Sequence, residues 1–245
     1  MVINNKREIE NSVERFIGFF RNKLEAIEAT DFKESKRLFE KILYMGLLDA
    51  LSGTTTYSKR SKNRERIVSF IKHFAKWPHQ ERISLPHLVG FLQKVPDPEF
   101  SSLRDYAFSL IDQWPWGEII SLDKDPTLAD VKKLWPSSLS KPFDDIGLDY
   151  LQHLNLFYRY RNSLVHEFRE PGYGMEMEND SEPFYHHMTD LDTDAETWEL
   201  VYPLGFYRRI CREAIENLRE YYVNQRLDPY SLSRFGTYWI DELND

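Results

Sequence analysis

The chain is short of cysteine and glycine and contains no long apolar run. Its one cysteine, Cys211, cannot close an intramolecular disulfide, which fits a reducing compartment. No CxxC pair or Cys/His cluster at zinc spacing occurs, so neither a metal site nor a cofactor is expected. No apolar stretch approaches the length of about 18 residues that a spanning helix needs. The opening Met1-Val2-Ile3-Asn4-Asn5-Lys6-Arg7-Glu8 lacks an apolar signal core. The expectation is therefore no secretory signal, no membrane contact and a cytoplasmic location. Only 10 glycines occur among 245 residues. With long stretches rich in Glu, Lys, Arg and Leu, that scarcity favours helices over a sheet with many turns.

What the chain does have is apolar and aromatic mass. Hydrophobic residues make up 41% and aromatic residues 15%, enough for a folded core. The net charge of −8 disfavours a protein that coats nucleic acid through many phosphate contacts. The charge is uneven, however. Lys59, Arg60, Lys62, Arg64 and Arg66 form a basic run, whereas no Lys or Arg falls between Arg169 and Arg208, a gap crowded with acids from Glu176 to Glu199. Local patches therefore decide more than the total.

Apolar spacing of three and four places a long helix over about residues 6–30, through Val13, Phe16, Ile17, Phe20 and Leu24. A second follows from an Asp31 cap to Ser52-Gly53, and a third carries Ile67, Phe70, Ile71 and Phe74 as far as Trp77-Pro78. Another helix spans about Ser101 to Trp114. Pro115, Pro126, Pro136 and Pro142 make 115–145 a long connection with short helical turns. A helix is expected from Ile146 to Phe168, stopped by Pro171-Gly172, and a last one from Leu204 to Arg226. Phe184-Tyr185-His186 and Trp198–Tyr202 read as two short strands. The expected fold is all-α: a bundle of about six to eight helices with a small β-hairpin near 183–203. It is read as a single domain over 1–245, with an N-terminal helical part to 145 and a core from 146.

The sharpest pattern is Tyr158-Arg159-Tyr160-Arg161-Asn162-Ser163-Leu164-Val165-His166, in which Arg161, Asn162 and His166 spell R-N-x-x-x-H near a helix end. An Arg five residues before a His is expected about 0.5 times by chance in this composition, so the bare pair is weak. The chain holds such a decoy at Arg82 and His87, with Ile83 after the Arg and Pro86 before the His. Requiring Asn after the Arg lowers the chance to about 0.02 and removes the decoy. The residue types suit RNA cleavage by the substrate's own 2′-hydroxyl. Imidazole moves protons near neutral pH, guanidinium forks onto phosphate, and the amide positions either one. On a straight α-helix Asn162 and His166 share a face, but Arg161 and His166 stand about 140° apart. One copy then makes an awkward site, and two copies across a twofold axis make a composite one.

R-N-x-x-x-H at a helix resembles the signature of the HEPN superfamily, carried here by Arg161, Asn162 and His166. The resemblance covers about residues 146–226, and the first 145 residues are compatible with it. It implies a metal-independent endoribonuclease with its site at a homodimer interface, in a toxin–antitoxin, anti-phage or stress-response setting. Arg161, Asn162 and His166 would be catalytic, RNA the substrate and a protein antitoxin a possible partner. Lys59, Arg60, Lys62, Arg64, Tyr158 and Arg159 are the candidate RNA-binding residues beside it. The alternative is a non-catalytic HEPN module that binds nucleic acid or a partner protein.

Three further patterns have simpler readings. Asp190-Leu191-Asp192-Thr193-Asp194 fails as a calcium loop, because Ala195 stands where Gly is needed and Val201 where Glu is needed. His186 and His187 point to opposite faces of a strand. Cys211, amid Ile210, Ala214 and Ile215, is read as a buried apolar residue rather than a nucleophile.

Overall fold

The computed structural model describes residues 6–55, 63–138, 146–189 and 196–232. The fold is helical with a small β insertion, as expected. Among the described residues there are nine α-helices and one three-stranded antiparallel sheet. The chain divides into two compact units, one of residues 1–34, 43–76 and 210–245, the other of 35–42 and 77–209. Their borders do not fall at residue 145, where the sequence suggested a change of part.

In the first unit, helix α1 (Lys6–Ala29) and helix α3 (Asn63–Phe74) bury the stripes that the spacing marked, from Val13 to Ile27 and from Ile67 to Phe74. Helix α2 (Lys36–Ser52) adds Met45, Leu48 and Leu51, and helix α8 (Leu204–Gln225) adds Ile210, Ala214, Leu218 and Tyr222. The exposed faces of α1 and α8 are matched in charge. Arg21 reaches Glu216 at 2.8 and 2.6 Å, and Arg212 meets both oxygens of Glu28 at 2.8 Å. Hydrogen bonding from Arg219 holds the Glu14 carboxyl below the usual range.

The second unit carries the sheet. Strand β2 (Phe184–Thr189) pairs antiparallel with strand β3 (Glu196–Val201), Phe184 opposite Val201 and Thr189 opposite Glu196. A two-residue strand, β1 (Ile120–Ser121), pairs with the other edge of β2. Sequence reading missed β1 because two residues carry no period, and here they lie in a Pro-punctuated connection. The same connection folds helix α6 (Leu128–Leu134), capped by Thr127, whose hydroxyl accepts from Asp130 N at 3.1 Å. Helix α4 (Leu85–Lys94) and helix α5 (Ser101–Ile111) pack with these elements around Leu88, Leu92, Phe100, Leu103 and Val131.

The helix expected from Ile146 begins later. Residues Leu148–Leu151 form a 3-10 turn, Gln152 is extended, and helix α7 runs over His153–Asn162. Two bonds from segment 82–84 hold the chain out of the helix there: Ser84 N donates to Leu151 O at 2.9 Å, and His153 N donates to Arg82 O at 3.2 Å. Long-range pairing overrides a good helical pattern.

A buried carboxylate secures that crossing. Asp125, 1% exposed, accepts from Leu85 N at 2.7 Å, from the Tyr185 hydroxyl at 2.9 Å and from His153 Nε2 at 2.6 Å. It thereby caps α4, anchors β2 and fixes the start of α7. Replacing Tyr185 by Phe leaves this charge one donor short, with an expected loss of about 1–3 kcal/mol. Urea unfolding followed by circular dichroism reads that loss, and an unchanged midpoint would mean that the Tyr185 bond contributes nothing.

Candidate functional site

Helix α7 does not end in an ordinary α-turn. It continues into a π-turn, Ser163–Glu167, that stops at Phe168 in the left-handed region, φ 53 and ψ 38. Hydrogen bonds in a π-turn span five residues instead of four, so side chains five apart stack on one side. Arg161 and His166 are five apart. The guanidinium Nη1 of Arg161 lies 3.2 Å from His166 Nε2 and 3.2 Å from Asn162 Oδ1. Guanidinium nitrogens only donate, so His166 Nε2 accepts and its ring proton sits on Nδ1. The expected 140° separation is thus corrected: the widened turn assembles Arg161, Asn162 and His166 within one copy.

Exposure divides the three. Arg161 is 8% exposed, Asn162 is half-buried and His166 is exposed. The buried cation orients an imidazole that solvent or a ligand can reach. Beside it Phe168, 60% exposed, holds a positive φ that a bulky residue seldom adopts. No sequence signal pointed to Phe168, because left-handed backbone is visible in sequence mainly through Gly or Asn.

The segment after the motif is clamped by a second cluster. Lys41, with no exposed side-chain area, places Nζ 2.7 Å from Glu170 Oε2 and 3.3 Å from Glu176 Oε1. The Tyr160 hydroxyl donates to the same Glu170 oxygen, and Glu176 Oε2 accepts from Leu204 N at 2.6 Å, at the first residue of α8. Burial, and then the Glu170 charge, hold the Tyr160 hydroxyl far above its ordinary pKa. Sequence reading passed over Lys41. A signal existed: Leu38, Lys41, Met45 and Leu48 share helical spacing, so a cation sits on an apolar face.

The remaining candidates separate. Arg64 stands in the first turn of α3, in the other unit, while Lys59, Arg60 and Lys62 lie outside the described residues, as does the 190–194 segment. Tyr158 is half-buried. Arg159 is exposed, with its guanidinium 4.8 Å from the centre of the Tyr150 ring. His186 Nε2 accepts from Met175 N at 2.9 Å, and His187 stacks against Trp116 at 4.6 Å. Cys211 is fully buried, donates to Tyr44 O at 3.6 Å, and burial pushes its thiol pKa well up, which disqualifies it as a nucleophile. Among the described residues no three His, Cys, Asp or Glu side chains converge on a common point.

No protein-family model, curated protein or solved structure matches this chain.

Lys41→Met would remove the nearest cation from two carboxylates, one of them the 6% exposed Glu176, and is expected to cost about 3–5 kcal/mol. Adding Glu170→Gln and Glu176→Gln should recover part of that loss. Thermal unfolding of the single and triple variants checks both expectations, and a triple variant no better than Lys41→Met would refute the charge argument.

Proposed function

We propose that this chain is a HEPN-type, metal-independent endoribonuclease of the cytoplasm. The observation that carries the reading is the contact of Arg161 with His166 on an exposed turn, which joins a phosphate-binding cation to a proton-transfer group. In the reaction the 2′-oxygen of the RNA bonds to phosphorus and the bond to the 5′-oxygen breaks. One proton leaves the 2′-hydroxyl and one reaches the departing 5′-oxygen. His166 performs one of these transfers, Arg161 stabilises charge on the phosphate, and Asn162 aligns the two. Phe168 offers a ring on which a base stacks.

Two transfers ask for two imidazoles, and a second copy supplies the other. The exposed apolar side chains after the motif support that dimer. Phe168, Tyr173, Met175 and Met177 are 60, 73, 64 and 71% exposed, which is apolar surface suited to being covered. Sedimentation velocity is expected to show a dimer for the wild type and a monomer for the Tyr173→Glu/Met175→Glu variant. A monomeric wild type would remove the composite site.

One observation favours a non-catalytic HEPN module instead: Arg161 is nearly buried and engaged with its own neighbours. Cleavage of a mixed RNA panel in EDTA decides between the readings. His166→Ala is expected to lower the rate by about 10²–10⁴-fold with the dimer intact. No cleavage by folded, dimeric wild type across the panel would favour the binding module. Such a nuclease would suit a toxin–antitoxin, anti-phage or stress-response setting, with a protein antitoxin as one partner it could take.

A further inference from the structure

Helix α7 has a second working face. Leu156, Arg159, Tyr160 and Ser163 recur at three and four residues, and they line a cavity of about 780 Å³ closed by α4 and β3. None of Arg161, Asn162 and His166 lines it. The walls are largely apolar, from Phe91, Ile146, Leu151, Trp198 and Leu200, but the basic side chains are grouped. His87 and Lys94 project from one face of α4, two turns apart, and Arg159 comes from α7. The acidic lining residues, Glu196 and Glu199, stand on the opposite element, β3. Glu199 is occupied by Thr197 Oγ1 at 2.8 Å and Tyr173 N at 3.3 Å.

His87 is held from behind. Its Nδ1 lies 2.8 Å from Ser84 Oγ, Ser84 lies 2.8 Å from the Tyr185 hydroxyl, and that hydroxyl lies 2.9 Å from Asp125. Ser84, Tyr185 and Asp125 are buried to within 1% of completely. Tyr185 has one proton, and the carboxylate takes it. Ser84 therefore donates to Tyr185, and His87 Nδ1 donates to Ser84. All protons in the chain run toward Asp125, which leaves His87 Nε2 as an acceptor. Nε2 makes no hydrogen bond among the described residues, and the His87 side chain is exposed to the cavity. Surrounding protein first, then the His153 and Arg159 charges, lower the His87 pKa, which favours the neutral ring.

We infer that this cavity binds a small organic anion with an aromatic or aliphatic body. Its anionic group would lie toward Arg159 and Lys94, and an N–H or O–H would donate to His87 Nε2. A buried polar relay ending on an open imidazole is costly to build for packing alone, since every member must be satisfied away from water. An apolar cavity with a few convergent polar groups is the ordinary form of a small-molecule site. The site is separate from the nuclease motif and stands whether or not that reading does.

The test uses 8-anilino-1-naphthalenesulfonate, which carries an aromatic body, an N–H and a sulfonate. Its uncharged counterpart is N-phenyl-1-naphthylamine. Fluorescence titration with equilibrium dialysis should show one saturable site per wild-type chain, and about tenfold weaker binding of the uncharged probe. Gly90 lines the cavity, and a Cβ built on it meets no atom within 4 Å. Gly90→Trp should therefore fill the space and abolish binding while circular dichroism stays unchanged. Arg159→Ala, at an exposed position, should erase the preference for the sulfonate and keep the fold. Undiminished binding by folded Gly90→Trp, a preference that survives Arg159→Ala, or no saturable binding by the wild type would each overturn the assignment.

Discussion

A carboxylate taken out of water must recover its lost hydration from the protein, and in the second unit Asp125 recovers it from three separate segments. The Leu85 amide, the Tyr185 hydroxyl and the His153 imidazole come from a helix start, a strand and another helix start. Displacing any one of the three leaves a buried charge a donor short, and the penalty for that exceeds what the hydrogen bond itself contributes. The Arg82 guanidinium adds a bond to the Asp125 carbonyl, so backbone and side chain of one residue are both committed. The positions of α4, β2 and α7 are consequences of this satisfaction, and apolar packing around Leu88, Phe100 and Val131 fills in around it. Everything α7 carries inherits its placement from there.

The π-turn is the second constraint. Widening a helix by one residue per turn weakens its hydrogen-bond geometry, and such turns persist where something compensates. Here the turn is held at its C-terminal end and beyond it. The left-handed Phe168 closes it back onto Ser163 O, and the segment beyond is tied down by Lys41 through Glu170 and Glu176. A buried lysine is a poor choice for stability, because its desolvation offsets much of its ion-pair gain. Its geometric effect is specific, since one ammonium fixes both ends of segment 170–176 and so limits how the turn can relax. The Arg161–His166 contact depends on that limit as much as on the motif.

How much of this could be read in advance follows from the range of the interactions. The stripes of α1, α3 and α8 were legible because apolar period is a local property, and so was the β2–β3 hairpin. The late start of α7 was not, because bonds from residues 82–84 determine it across about seventy positions of chain. The motif residues could be chosen from sequence through residue type and spacing. Their geometry could not, since α and π turns differ by a hydrogen-bond shift that no residue in Ser163–Glu167 announces. Lys41 and Asp125 show the same limit from the other side. A charged residue within an apolar period signals a buried pair, but the partner's identity waits for the fold.

The two faces of α7 also bear on each other. Motif and cavity share one rigid helix and one residue at its end, Ser163, which lines the cavity and begins the π-turn. A helix is stiff along its length, whereas a π-turn has a lower-energy neighbour in the α-form. A group seated against Ser163 therefore meets the one residue shared by the cavity wall and the turn that sets the Arg161–His166 contact. In this fold what the two faces share is position, one helix and the residue Ser163 at its end.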